Sequence, residues 1–282
     1  MQAIAEFAMR SRSHAIAVSM VAAVLPFFGW LSTVVVTLVC LRQGLAAGSM
    51  VLLWTLLPIG IYLYLTGDSF PAITLTGTFL LAILLRQSMS WELVLIALVA
   101  VSAIGTVLFE LTSASMMGAL TQFYLDYMGQ LNPGAVIDEA QATVVAKAIV
   151  SVSMALAIMT MLIIARWCQS ALYNPGGFRK EFHGLRLSPP VGIIAVLLLA
   201  LCFAFAEQLG RWLPLLTVPL FFAALGLIHW MMASRQLSNG WIAGFYASLV
   251  LFFQLFYPFL VSLALMDSWV NVRNRLNKIQ KD

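Results

Sequence analysis

Charge is what this chain has least of. Its 282 residues include only 15 Lys+Arg and 11 Asp+Glu, so 9% are charged where a soluble chain carries about 25%. So few polar groups cannot cover the surface of a chain that is 62% hydrophobic. Histidine is equally rare: His14, His183 and His229 argue against a multinuclear metal site. Cys40, Cys168 and Cys202 are far apart and form no CxxC pair, which excludes a disulfide framework or a thiolate metal site and makes them small buried hydrophobes. HExxH and GxSxG are missing, and Gly176-Gly177 lacks the GxxxxGK[ST] frame of a phosphate loop. The sequence therefore points to no enzyme, no metal and no cofactor.

Long uncharged runs are what it has instead. They cover 15–41, 44–65, 69–85, 93–109, 148–165, 187–206, 212–234 and 236–266. With a mean hydropathy of +0.97, they make lipid the solvent of this chain. The expected fold is an all-α, polytopic transmembrane helical bundle of about eight membrane segments, built as one integral membrane domain over 1–282. The first and last runs are long for one crossing of a bilayer core that takes ~20 residues. Pro26 with Gly29-Trp30 divides the first, and Pro258 the last, so each is either one tilted helix or a broken, tightly turned pair. The N-terminus, with Arg10 and Arg12 before an apolar run, imitates a signal peptide but reads as a retained first span.

A net charge of +4 and a pI near 9.1 do not indicate nucleic acid here, because Lys and Arg in short loops mark the cytoplasmic side. Arg42, Arg86, the basic loop 166–189 and Arg235 share one side if the spans alternate, and Asp68, Glu110, Asp126, Asp138 and Glu139 share the other. We expect the basic side to be cytoplasmic, in a bacterial inner membrane. The polar tail 267–282 joins that side only if an extra crossing or re-entrant piece follows Arg186.

The connector 110–141 carries Leu120, Phe123, Tyr124, Tyr127, Met128 and Leu131 at three- and four-residue spacing before Asn132-Pro133-Gly134. It reads as an external amphipathic helix that either anchors at the membrane surface or closes as a lid. Glu110 and Glu207 each end an apolar run. Glu207, with Gln208, is a candidate ligand contact at the external mouth, its plainer reading being a solvated turn with an i,i+4 pair to Arg211; Glu110 is a candidate ligand contact too, its plainer reading being an ordinary carboxylate at the headgroup level. His229 and Gln254 are candidate ligand or pathway groups or simply helix–helix hydrogen bonds. Gly240, Gly244 and Ser248 permit close helix packing, within the chain or with another.

Within the basic loop, Asn174, Gly176, Gly177 and Arg179 form a turn and a basic surface for the membrane or a docking protein. Asp267 is expected to tie the terminal helix to Arg273 or to the basic loop, with proton carriage as the alternative. The expected partners are the lipid bilayer, a small-molecule substrate, and a membrane or cytoplasmic protein.

The stretches LRQGLAAG after Pro26, WCQSALYNPGGFRKEFHGLRL, VPLFFAALGLIHW and MDSWVNVRNRL together resemble the YybS-like family of uncharacterised bacterial membrane proteins, over essentially the whole chain. That family is distantly similar to the substrate-binding membrane components of energy-coupling-factor transporters. The resemblance implies a helical bundle that binds a small molecule near the external side and docks to an energising module. It carries over no particular ligand. The competing expectation is a non-transporting membrane scaffold or regulator.

Overall fold

Helices account for all regular structure among the residues described, 1–131 and 138–279, in a computed structural model. Six stretches are long and apolar enough to cross a membrane: Leu45–Thr66, Phe70–Ser88, Trp91–Thr112, Glu139–Tyr173, Ala206–Ser234 and Phe253–Val270. Four further apolar helices are shorter: Arg12–Val24, Gly29–Gln43, Pro189–Ala204 and Gly240–Leu251. This is a multi-span helical membrane protein. Against the expected number of about eight segments with the first and last possibly broken, the described residues form six helices of spanning length and four shorter apolar ones.

Contacts divide the chain into two units: Met1–Pro175 with Gly210–Leu215, and Gly176–Leu209 with Leu216–Asp282. The first contains α1 (Gln2–Met9), α2 (Arg12–Val24), α3 (Gly29–Gln43), α4 (Leu45–Thr66), α5 (Phe70–Ser88), α6 (Trp91–Thr112), α7 (Ala114–Leu131) and α8 (Glu139–Tyr173). Helix α3 is its centre. Every residue of α3 from Leu31 to Leu41 is buried, under α2, α4, α5 and α8. Small residues allow this packing, as lipid-embedded helices associate by close approach rather than by hydrophobic exclusion. A Cβ on Gly48 of α4 would lie 2.7 Å from the Cβ of Cys40 and 2.9 Å from its Cα. Thr55 of α4 donates to Ser19 of α2 at 2.8 Å, an interhelical bond between buried hydroxyls.

The first long run is a broken pair. Helices α2 and α3 have 13 and 15 residues, or about 20 and 22 Å of rise, and neither matches a hydrocarbon core of about 30 Å. Between them Leu25 is extended, as a residue before proline prefers, and Phe28 N–H donates to the Leu25 carbonyl at 3.2 Å. Pro26 then occupies the second position of a turn whose third, Phe27, has φ +66°, the features of a type II turn.

Helix α8 sets the thickness of unit 1. Lys147 and Gln169, both in polar contacts, are separated by a rise of about 33 Å along it, close to the thickness of a hydrocarbon core. Helix α7 packs against α8 and α6. Of its expected apolar stripe, Phe123, Tyr127 and Leu131 are exposed, while the buried residues are Met117 and Thr121. The expected Asn132-Pro133-Gly134 turn lies outside the described residues.

The second unit holds α9 (Gly177–His183), α10 (Pro189–Ala204), α11 (Ala206–Leu209), α12 from Leu216 (the whole helix is Leu213–Ser234), α13 (Asn239–Leu251), α14 (Phe253–Val270) and α15 (Val272–Ile279). Its last long run is broken too, but at Phe252 rather than at Pro258, which lies inside α14. Pro258 lacks the N–H that would bond the Gln254 carbonyl, and α14 runs through it with that one bond missing.

Candidate functional site

The turn at residues 25–28 forms one wall of a cavity of about 500 Å³ in unit 1. Trp30 and Thr33 of α3, Tyr62 of α4, Phe70 and Thr74 of α5, and Met161 of α8 line the rest. No charged side chain among the described residues lines it. Its polar side-chain groups are the Trp30 indole N–H and hydroxyls: Thr74 Oγ1 donates to the Phe70 carbonyl at 2.8 Å, and Tyr62 OH donates to Asp68 at 3.4 Å. Phe27 is 95% exposed and occupies the left-handed region that bulky residues avoid, so it is held there without packing to offset the strain. Pro26 is legible in the sequence as a divider; the cavity beside it is not.

Glu110, a candidate ligand contact, is instead clamped. Its Oε2 lies 2.9 Å from Lys147 Nζ, and its Oε1 accepts from Arg211 Nη1 at 2.9 Å. Arg211 also stacks on Trp212, 4.4 Å from the ring centre. This carboxylate joins α6, α8 and the 3-10 turn Gly210–Trp212, and carries one negative charge against two positive. The expected Glu207–Arg211 pair is therefore replaced by Arg211–Glu110. The segment breaks after Leu209 into a 3-10 turn, so the i,i+4 spacing no longer superposes the two side chains. Glu207 and Gln208 are exposed in α11.

At the same level of unit 1, Ser69 and Ser113 share a hydrogen bond at 2.8 Å, Ser69 N–H donates to Ser113 Oγ at 3.0 Å, and Thr112 donates to Ser69 Oγ at 2.7 Å. This hydroxyl cluster ties the start of α5 to the end of α6. Serines 44 residues apart carry no sequence signal for such a contact.

In unit 2 the buried charged residues among those described are Asp267, 3% exposed, and Arg273, 8% exposed. Arg273 Nη1 donates to Asp267 Oδ2 at 2.5 Å and Nη2 to the Leu185 carbonyl at 2.7 Å. Arg186 donates to the Asp267 and Ser268 carbonyls at 2.8 and 2.7 Å, and Val272 N–H to Asp267 Oδ1 at 2.9 Å. Arginines from the basic loop and the terminal helix thus converge on the end of α14. Gly226 lets α12 meet this loop, since a Cβ there would lie 2.7 Å from the Phe182 carbonyl oxygen.

His229 bonds Tyr246 OH through Nε2 at 2.9 Å and meets the Phe182 ring edge-on. Gln254 is exposed on α14. Asn174 ends α8, its carbonyl accepting from Ser170 Oγ at 2.7 Å. Gly176, at φ +84°, and Gly177 start α9, on which Arg179 is exposed. His183 closes α9, and its pKa is lowered by burial first, then by Arg179, His229 and Arg273. Cys40, Cys168 and Cys202 are free and buried. No group of three or more His, Cys, Asp or Glu able to hold a metal occurs among the described residues.

The candidate residues therefore fall into separate nodes. Glu110 belongs to the clamp in unit 1, His229, Asp267 and Arg273 to contacts within unit 2, and none of them lines the cavity. Comparison with protein-family models, curated proteins and solved structures finds no match to this chain.

Proposed function

We propose that this multi-span membrane protein binds a small molecule in the cavity of unit 1, as a substrate-binding or uptake component. The cavity itself is the observation that supports the reading: about 500 Å³ suits a drug-sized or vitamin-sized molecule, and its lining of aromatic rings with a few hydroxyls suits a neutral, mainly apolar one. The clamp around Glu110 stands at the same end of α8 as the hydroxyl cluster. With the basic end cytoplasmic, in a bacterial inner membrane, the cavity would open toward the external half. The likeness to the YybS-like family, and through it to transporter binding components, agrees with that reading and assigns no catalytic step.

A scaffold or regulator is the second reading. One observation favours it: nothing among the described residues lies within 4 Å of where a methyl on Gly244 would stand, and Gly244 lines an open groove with Gly240, Ser248, Met232 and Phe256. Affinity purification in mild detergent, followed by metabolite and protein mass spectrometry, separates the two. The binding reading expects a co-purifying small molecule that Ala157→Phe, at the cavity wall, displaces. Protein partners without any small molecule would favour the scaffold.

A further inference from the structure

The opposite end of unit 1 holds a second, smaller pocket of different chemistry. It measures about 270 Å³ and is lined by Leu41, Leu85, Arg86, Met89, Arg166 and Gln169. Its geometry follows from the end of α3. Gly44 N–H satisfies the Cys40 carbonyl, and the next carbonyl, Leu41, is one of those a helix C-terminus leaves without an intrahelical donor. Two side chains from other helices supply donors: Arg86 Nη1 from α5 and Gln169 Nε2, the latter at 3.1 Å, from α8. Arg166 Nη1 in turn donates to Gln169 Oε1. One backbone carbonyl thus gathers two guanidinium groups and an amide around a single concavity. Arg42, next in sequence to Leu41, is held nearby with its guanidinium 4.1 Å from the Tyr173 ring centre.

Capping uses only Nη1 of Arg86, whose guanidinium is exposed and lines the pocket. Arg42, Arg86 and Arg166 stand at this end with Glu92, in the first turn of α6, as the acidic residue of the adjoining helix. Guanidinium forks match phosphate oxygens, and basic pockets between transmembrane helices at the cytoplasmic level receive lipid headgroups. The surroundings are those of a lipid rather than a free ion. Trp167 and Tyr173 are exposed at this level of α8, as interface aromatics are, and Leu93 and Ile96 continue the exposed apolar surface along α6.

We propose that this pocket seats the phosphate of an anionic phospholipid, with Arg86 on the headgroup and the acyl chains along the exposed face of α6. The site is distinct from the cavity beside residues 25–28 and does not depend on what that cavity binds.

Native mass spectrometry of the full chain, given equal amounts of phosphatidylglycerol and phosphatidylcholine, tests it. The expected result is retention of phosphatidylglycerol about fivefold over phosphatidylcholine, the factor one basic contact at an anionic surface confers. Arg86→Gln should bring the ratio to parity, while Arg235→Gln, an exposed cation of unit 2, should leave it unchanged. If Arg86→Gln does not fold, Arg86→Lys is measured instead and should lower the ratio, because it keeps the charge but loses the fork. Equal retention of the two lipids by the native chain would overturn the proposal, as would an unaltered ratio in the folded Arg86 variant. Displacement of phosphatidylglycerol by millimolar inorganic phosphate would also overturn it, by making the site one for a free anion.

Discussion

Arg273 reaches back across the end of α14 to Asp267, placing Nη1 2.5 Å from Oδ2, while its other terminal nitrogen holds the Leu185 carbonyl. Both side chains are almost fully buried, so removing Asp267 takes the paired carboxylate from Arg273, while removing Arg273 leaves Asp267 with Arg186, 3.9 Å from Oδ2. Asp267→Asn keeps the acceptor for Val272 N–H but removes the charge. Breaking such a pair costs roughly 3 kcal/mol. Thermal unfolding in detergent should show a marked loss for Asp267→Asn and for Arg273→Met, with partial recovery in the double variant. Ligand retention per folded molecule should not change. A stable Asp267→Asn protein that had lost ligand would make this residue part of a transport pathway.

Phe27 predicts a gain rather than a loss. Its side chain is exposed and its φ is +66°, a conformation that costs a bulky residue about 1–2 kcal/mol and glycine almost nothing. Phe27→Gly should raise the unfolding temperature in detergent. If the ring also contacts the ligand, the same variant should weaken binding, and the two measurements together separate strain kept for function from strain without one.

Glu110 is less buried than Asp267, and its pairs are correspondingly weaker. Glu110→Gln leaves Lys147 and Arg211 close together without their shared carboxylate, and should cost about 1 kcal/mol. Adding Lys147→Met should restore most of that loss, since it removes one of the two facing cations. A double-mutant cycle on the unfolding temperature reads the coupling.

Two glycines should respond in opposite directions. At Gly226 a methyl would meet the Phe182 carbonyl oxygen at 2.7 Å and Leu185 Cβ at 3.0 Å, so Gly226→Ala should destabilise by about 1–3 kcal/mol. At Gly244 nothing among the described residues stands within 4 Å, and Gly244→Ala should stabilise by up to ~1 kcal/mol through helix propensity. Loss of oligomer or of a co-purifying partner in Gly244→Ala would show that another helix uses this face.

His183 sets a pH dependence. Burial and the nearby Arg179, His229 and Arg273 hold its pKa below the ordinary histidine value of about 6.5. Between the folded and unfolded pKa values the unfolded chain binds the extra proton, so stability rises with pH through that window and falls on acidification. His183→Gln should flatten the dependence of the unfolding temperature below about pH 6.5, without shifting it near pH 8.

The sequence by itself determined the solvent and the class. Every backbone polar group in a bilayer must be bonded within a helix or a closed barrel, and continuous apolar runs of this length, without the alternation of barrel strands, point to helices. The sequence also marked the first break, at Pro26, and the excess length of the last run, but not the place of its break, which falls at Phe252 while Pro258 lies inside α14. The local reach of Asp267 to Arg273, six residues apart, could be anticipated as well.

Tertiary structure alone decided which distant groups meet. Arg211 could bond Glu207 nearby in the chain or Glu110 about a hundred residues away, and the 3-10 turn after Leu209 gave it to Glu110. The cavity at residues 25–28, the Ser69–Ser113 cluster and the cations around the Leu41 carbonyl have no periodicity or motif, because each is assembled from the ends of different helices. Helix packing, not local spacing, places them: α3 stops where its last carbonyls need donors, and α5 and α8 are the helices that bring Arg86 and Gln169 to them.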